Sequence, residues 1–402
     1  MKVLVVNAGS SSMKYQLFNM ETEEMIAKGN CERIGIDGLI GHKTSDGREY
    51  EAKIDMPTHS EAFEALVYAL TKSDAKVIDD MKEISAVGHR VVQGGSIFKE
   101  SCLVTDKVIE DIESLIPLAP LHNSAHALGI KACRKALGND VPQVVVFDTS
   151  FHSTMPEKAY IFGVPYDMYE KYAIRRYGFH GTSHRYVSDK VAELEGKDKK
   201  DMKIVTCHLG NGSSITAIKD GKVIDTSMGL TPLDGIIMGT RSGTLDPSVV
   251  TFIAEKENMT PAQMSDYLNK KSGFLGISGV SNDNRDVTEA AEAGNKRAQL
   301  ALDILHYQIA KFVGGYTAAM GGLDALVFTG GIGENNYITR EIVSEYMSFL
   351  GCKIDKEFNK ANNRIKGQDL KISTPDSKVA VYAISTNEEL VIARDTMAIV
   401  SK

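Results

Sequence analysis

At 402 residues the chain is too long for one ordinary hydrophobic core, which predicts two domains; 43% hydrophobic and 25% charged residues without a low-complexity tract exclude a disordered or fibrous chain. A net charge of −7 with no basic run excludes a nucleic-acid surface, and five scattered cysteines without a C-x-x-C exclude a disulfide scaffold and point to a cytosolic protein. The apolar run after Lys2 is too short for a signal peptide, and no stretch approaches the ~20 apolar residues of a membrane span.

"VLVVNAGSSSMKYQLF", from Val3, predicts a strand, a turn of Gly and three serines, and a second strand opening at Lys14. "GREYEAKIDM" alternates as a half-exposed strand. In "THSEAFEALVYALTKSD", Thr58 and Glu61 are spaced as a capping box before a helix. "ISAVGHRVVQGG" predicts a buried strand carrying Arg90, and "NSAHALGIKACRKALG" a helix from an Asn123 cap to Gly138. "VPQVVVFDTSFH" is a buried strand that delivers Asp148 at its carboxyl end.

The aromatic, loop-like stretch from Tyr160 to His184 is where a domain crossing is expected. "KIVTCHLGNGSSITAIKDGKVI", from Lys203, then repeats the opening hairpin. "DPSVVTFIAEKE" and "TPAQMSDYLNKKSG" each carry a cap and a Pro at the first helical position. A helical pattern from about Asn295 to Met320 leads into "DALVFTGGIGENN", a buried strand and a Gly-rich loop. "VYAISTNEELVIARDTMAIV" closes with a strand, a turn and a helix, in which Thr386 and Glu389 are spaced as a capping box that leaves Glu388 free. Setting Gly9 against Gly212 gives a repeat offset of 203 residues, readable as duplication or as two coincidental hairpins.

"NAGSSSMK" lacks the ending of a P-loop and runs into a strand, so an ordinary turn is the simpler reading. Yet Lys14, three hydroxyls and backbone N–H groups are the materials of a phosphate cradle. "HLGNGSS" offers the same materials, with Asn211 and Gly212 suited to positive φ. "FTGGIGENN" is a third such loop after a strand, where ligands of α/β folds bind. Arg90 and Arg241 lie among glycines, where a guanidinium can grip a carboxylate or phosphoryl oxygen through two parallel bonds. His122/His126 and His180/His184 are spaced i, i+4, but with no H-E-x-x-H order and no third ligand, zinc is the weaker reading. Asp148 and Glu388 are candidate hard oxygen ligands for a Mg-nucleotide, Glu388 alternatively serving only the helix dipole.

The stretches "VNAGSSSMKYQLF", "GHRVVQGG", "PLAPLHN", "VVFDTSFH", "RRYGFHGTSH", "HLGNGSS", "MGTRSGTLDP", "SNDNRD", "FTGGIGEN" and "TNEEL" occur in that order along nearly the whole chain. In this the sequence resembles the acetate kinase family, part of the superfamily of acetate and sugar kinases, heat-shock chaperones and actin. The resemblance implies an α/β fold of duplicated actin-like (ribonuclease H-like) domains with a nucleotide cleft between them. Residues 1–150 with 386–402 would form the domain of the first phosphate loop and the acetate and Mg site. Residues 151–385 would carry the second phosphate loop and the adenosine pocket.

The implied reaction is reversible, Mg²⁺-dependent phosphoryl transfer between ATP and acetate, giving ADP and acetyl phosphate, with Mn²⁺ able to substitute, in a cytoplasmic homodimer. Carried onto this sequence, Asn7 and Glu388 resemble the Mg²⁺ site and Asp148 the catalytic acid residue nearby. Ser10, Ser12 and Lys14 resemble the first phosphate loop, and His208, Leu209, Gly210, Asn211 and Gly212 the second. Asp283, Asn284 and Arg285, with Gly331, Ile332, Gly333, Glu334 and Asn335, resemble the adenosine pocket. Arg90 corresponds to the acetate-binding arginine, and His180 and Arg241, with His122 beside them, to the groups that stabilise the transition state. Asn7, Arg90, His180, Arg241 and Glu388 are therefore expected to gather at one point.

Val92, Leu121 and Pro232 are expected near the acyl chain, where one or two smaller side chains would make a propionate or butyrate kinase. A non-enzymatic nucleotide switch is the alternative of another class. Against it stand the two arginines and two histidines, and a chain expected to end soon after "TNEEL" without a peptide-binding domain.

Overall fold

Four consecutive aliphatic residues, Val3 to Val6, form the middle of β1 (Lys2–Ala8) and are buried on both faces, as a central strand requires. The computed structural model describes residues 1–402 apart from Leu121 and Asn139. The chain divides into two units, Met1–Phe151 with Asn387–Lys402, and His152–Thr386. The first crossing thus precedes the aromatic stretch, which starts at the end of the short helix Glu157–Tyr160 and holds another, Tyr166–Tyr172, rather than being all loop.

In the first unit β1 is followed by β2 (Ser12–Asn19), β3 (Glu24–Glu32), β4 (Leu39–Thr44), β5 (Glu49–Lys53), β6 (Ile84–Val91), β7 (Cys102–Leu103) and β8 (Gln143–Phe147). The sheet order is β5-β4-β3-β2-β1-β6-β8-β7. β1 to β5 form an antiparallel meander, β6 and β8 add in parallel, and β7 closes the edge antiparallel. β2 opens at Ser12 rather than Lys14, because ladder pairing runs from Lys2–Asn19 to Ala8–Met13 and confines the turn to a few residues.

The helix His59–Thr71 carries the expected capping box of Thr58 and Glu61. The helix Asn123–Leu137 ends at Gly138 with φ 76° as expected, but Asn123 is not its cap. His122 occupies the cap position, and the fully buried Asn123 side chain instead bonds both backbone groups of Gln93, at 3.2 and 2.9 Å. This pins the loop after β6.

The terminal helix Glu388–Val400 returns to this unit and packs on β6, β1 and β8. A Cβ on Gly88 of β6 would lie 2.4 Å from Thr396 Oγ1 and 2.7 Å from Ile392 Cγ2, so only glycine admits the helix at this depth. Its cap is Asn387, whose side chain accepts from Leu390 N. The expected Thr386–Glu389 box is absent because the Thr386 hydroxyl donates to Ser183 instead.

The second unit repeats the pattern with β9 (Lys203–His208), β10 (Ser214–Lys219), β11 (Lys222–Thr226), β12 (Ala325–Thr329), β13 (Asp369–Lys371) and β14 (Ala380–Ile384), in the order β11-β10-β9-β12-β14-β13. Here three antiparallel strands, where the first unit has five, are followed by two parallel ones and an antiparallel edge strand. β9 takes the place of β1, β12 of β6 and β14 of β8. The two hairpins are therefore a duplication, and the fold is the duplicated actin-like α/β fold. Matching strand starts, Lys2 with Lys203 and Ser12 with Ser214, makes the offset one or two residues shorter than the glycines suggested.

The helices Pro247–Lys256 and Pro261–Lys270 carry the expected caps, Asp246 and Thr260, with Pro at the start. The long helix Lys296–Met320, capped by Asn295, lays Leu305, Ile309 and Val313 into the core. "GGIGEN" is not a loop but a helical segment, Gly330–Asn335, directly after β12. Gly330, at φ 76°, lets it start without clashing with the Leu209 backbone.

Several histidines are buried in the neutral form. Burial pushes His89 and His306 down to about 4 and, with Arg90 and His122 close by, His126 down to about 3. A depressed histidine contributes stability that is complete above its unfolded value of about 6.5 and is lost as the pH falls towards the folded value. Unfolding free energy is expected to decline below about pH 6.5, by roughly 1.4 kcal/mol per pH unit for each such histidine. His306 bonds Thr339 Oγ1 at 3.1 Å, a bond a glutamine can replace. His306→Gln should therefore flatten the profile between about pH 6.5 and 4 by that slope in denaturant titrations; an unchanged profile would contradict the assignment.

Candidate active site

The first unit places its expected site residues at the carboxyl ends of β1, β6 and β8 and at the start of the terminal helix. Asn7 and Lys14 face each other across the β1–β2 ladder, so their side chains leave the same face. Both line a cavity of about 360 Å³ together with Gln16, Asn30 and Glu389. Ser10 is exposed at the turn, and Ser12 begins β2. Gly9 N donates to Ser12 O at 2.7 Å, and His59 holds the Gly9 carbonyl at 2.7 Å. No motif along the chain marks that contact of His59.

Arg90, next to last in β6, donates through Nε and Nη2 to the two oxygens of Asp148, at 2.9 and 2.7 Å. Asp148 follows β8 directly and is 1% exposed, while the Arg90 side chain keeps 22% exposure. Burial works against the charge of Arg90, but Asp148, Glu388 and Glu389 outweigh it and hold the proton tighter than in water. Burial and the neighbouring Glu388 raise the Glu389 carboxyl, against Arg90 and Lys14. Val92 is buried just after β6. His122 lies close enough to His126 to depress it, as does Arg90. Leu121 lies outside the described residues.

Three carboxylates around one guanidinium leave a surplus of negative charge, which suits a hard divalent cation. Both Asp148 oxygens are engaged by Arg90; a carboxylate such as Glu388 and an amide oxygen such as that of Asn7 are the donor types that Mg²⁺ takes. Among the described residues no three His, Cys, Asp or Glu side chains form a metal cage. Mg²⁺ does not require one, since it takes one or two carboxylates and completes its shell with waters and substrate phosphates.

In the second unit His180 precedes the helix Gly181–Glu195 in the left-handed region, at φ 58°, a conformation non-glycine residues adopt at a cost. Its ring stacks on His208, the last residue of β9, with centroids 4.2 Å apart. His180 Nδ1 and His184 Nε2 meet on one hydroxyl, Ser214 Oγ, at 2.8 and 2.7 Å. The i, i+4 pair thus converges on a serine where a metal would need the same lone pairs.

The turn from His208 to Gly212 is anchored by the buried Leu209, whose N donates to Thr329 O and whose carbonyl accepts from Ile332 N, each at 2.8 Å. Gly210 N is taken by Ser213 Oγ at 3.0 Å. Neither Asn211 nor Gly212 has positive φ. Glycine serves close approach here: a Cβ at Gly212 would lie 3.3 Å from Arg241 Nη1 and 3.5 Å from His180 Nε2. Arg241 and His180 therefore converge over the turn, on a spot that a side chain would fill. Arg241 Nη1 donates to the Pro232 carbonyl at 3.1 Å, and no carboxylate among the described residues pairs with it. Burial lowers its hold on the proton.

Asp283 caps the helix Asn284–Glu292 and binds Arg285 through both oxygens. Asn284 Oδ1 accepts from Asn336 at 3.0 Å, whereas its buried Nδ2 has no partner among the described residues. Asn336, passed over in the sequence, belongs with this group. Glu334 accepts from Gly330 N and from Ser385 Oγ, so its carboxylate is committed to its own scaffold. Asn335 bonds back to Gly331 O.

The acetokinase family model matches residues 2–394. An acetate kinase of Thermotoga petrophila is 55% identical over 404 residues, covering 100% of this chain and 99% of its own. The crystal structure of Porphyromonas gingivalis acetate kinase superposes with a TM-score of 0.95 at 48% identity, covering 99% of both chains. That of a propionate kinase from Francisella tularensis does so with a TM-score of 0.91 at 40% identity, again over 99% of both. With ordered motifs, duplicated topology and full-length similarity in agreement, the chain belongs to the acetokinase family.

Proposed function

We infer that the protein catalyses reversible phosphoryl transfer between ATP and acetate, giving ADP and acetyl phosphate. The observation that carries this is Arg241: a largely buried guanidinium without a carboxylate partner among the described residues, held with His180 Nε2 over a glycine turn. That arrangement is an oxyanion-type donor set awaiting an anion. A transferring phosphoryl group spreads its charge over three equatorial oxygens and asks the protein mainly for positioning and positive charge.

Arg90 spends Nε and Nη2 on Asp148, which aims the guanidinium and leaves Nη1 to take the acetate carboxylate. Acetate is already ionised near neutral pH and needs no base. Asp148, with both oxygens engaged, orients Arg90 instead of abstracting a proton, and transfer is direct and in line. When bound at Asn7 and Glu388, Mg²⁺, or Mn²⁺ in its place, supplies further positive charge to the phosphates. Ser10, Ser12 and Lys14 of the first unit and the turn to Gly212 of the second bind phosphates, and Asp283 to Arg285 with Gly331 to Asn335 form the adenosine pocket. The unpartnered Asn284 Nδ2 supports the latter.

We assign the acyl end to Val92 and Pro232. Cytoplasmic homodimers are the expected working form; the helix Pro247–Lys256, which buries no residue of its own and exposes Phe252, supports association.

ATP-dependent hydroxamate formation, read as kcat/KM for acetate, propionate and butyrate, tests the activity. Acetate should lead, with roughly 10- to 200-fold discrimination per methylene. Chelation by EDTA should abolish turnover, and Mg²⁺ or Mn²⁺ restore it. A higher kcat/KM for propionate would instead place the protein beside the Francisella enzyme; no product with any acid at millimolar concentration would favour a nucleotide switch.

A further inference from the structure

The His180 ring ends a hydrogen-bonded chain that the proposed chemistry does not use. From Ser214 Oγ, which touches His180 Nδ1, the chain runs to His184 Nε2, and from His184 Nδ1 to Thr206 Oγ1 at 2.6 Å. Ser214, His184 and Thr206 are fully buried, and their side chains make no other hydrogen bond among the described residues. Burial, with His152 and His208 nearby, holds His184 neutral, so its ring carries one N–H.

That proton has two possible seats. On Nδ1 it would donate to Thr206, and the Thr206 hydroxyl hydrogen would be stranded in the interior without an acceptor, the costly outcome for a buried donor. On Nε2 it donates to Ser214, and every hydrogen is placed: Thr206 O–H to His184 Nδ1, His184 Nε2–H to Ser214 Oγ, and Ser214 O–H to His180 Nδ1.

We propose that Thr206, His184 and Ser214 are positioning residues that fix His180 in its neutral Nε2–H tautomer, so that it presents a donor beside Arg241. Its catalytic meaning rests on the reading of His180 as a phosphoryl ligand; the tautomer itself does not. An imidazolium at His180 would donate to Ser214 Oγ and leave either the Ser214 or the Thr206 hydroxyl hydrogen without an acceptor in the chain. It would also place a cation against the stacked His208 ring and near Arg241. His208 is held in the same way: Thr386 donates to Ser183 Oγ at 2.8 Å, leaving the Ser183 hydrogen for His208 Nδ1 at 2.7 Å.

The full chain labelled with ring-¹⁵N histidine reports the tautomer directly by long-range ¹H–¹⁵N correlation at neutral pH, with His180 assigned by its missing signal in His180→Ala. The Nε2–H pattern is expected; an Nδ1–H pattern or an imidazolium would overturn the proposal without any variant having to fold. In Ser214→Ala the His180 signal should become a mixture and kcat should fall roughly tenfold or more, as when a catalytic histidine loses the group that sets its tautomer. Ser214→Thr, which keeps the hydroxyl, should preserve the signal. A His180 still fixed as Nε2–H in Ser214→Ala would also overturn the role of the chain. Unchanged kcat in His180→Ala would strike at the phosphoryl role alone, so the two failures read differently.

Discussion

Arg241→Ala is expected to lower kcat by ~10²-fold or more with little change in the KM for ATP, the cost of losing one preorganised oxyanion-type donor. The side chain has no carboxylate among the described residues and is oriented by the Pro232 carbonyl over Gly212. In the resting enzyme it is a desolvated charge whose hydrogen bonds among the described residues go only to the Pro232 carbonyl and the Met238 sulfur, and burial already weakens its hold on the proton. Its removal should therefore leave the thermal midpoint unchanged or slightly raised. Arg241→Lys should recover only part of the rate, because a point charge does not reproduce a planar fork. Near-normal kcat in the alanine variant would exclude the role.

Arg90→Ala should behave in the opposite way towards stability. Here the guanidinium is the partner of a carboxylate that is 1% exposed, and Glu388 and Glu389 also draw on it. Losing it removes both Arg90 bonds from the buried Asp148 carboxylate, which costs about 3–5 kcal/mol. In the same variant the KM for acetate should rise by roughly 10-fold or more, since charge-assisted bonds to the carboxylate are lost. Adding Asp148→Asn separates the two effects: stability should return and activity should not. An Arg90→Ala protein with native stability would show that Asp148 finds another partner, and one with native acetate KM would remove Arg90 from the substrate site.

The contrast between the two arginines was not readable in the chain. Both lie among glycines in short motifs, and the sequence treats them alike. Only the parallel pairing of β6 with β8 brings Asp148 to Arg90, 58 residues away, and no carboxylate among the described residues reaches Arg241. The histidines tell the same story. The i, i+4 spacing of His180 and His184 is plain in the sequence, but Ser214, on the strand that turns their pair into a relay, is not. Asn123 looked like a helix cap and serves the Gln93 loop, because a side chain's partner is chosen by what folds against it rather than by its position in a local motif. Gly212 looked like a residue for positive φ and is needed for room.

By itself the sequence determined the elements and their kind. Apolar runs marked β1, β6, β8 and β12 as buried strands and the repeated hairpin marked β9; Thr58, Asp246 and Thr260 set helix starts; the order of the motifs set the family. These are local properties, decided by backbone propensity and by which side chains avoid water, and a linear chain displays them openly. Tertiary structure alone decided which charge is neutralised and which is left waiting, and which hydroxyl orients which ring. Such pairings join residues that are remote in sequence, and their energies depend on distance and burial that only the packed fold creates.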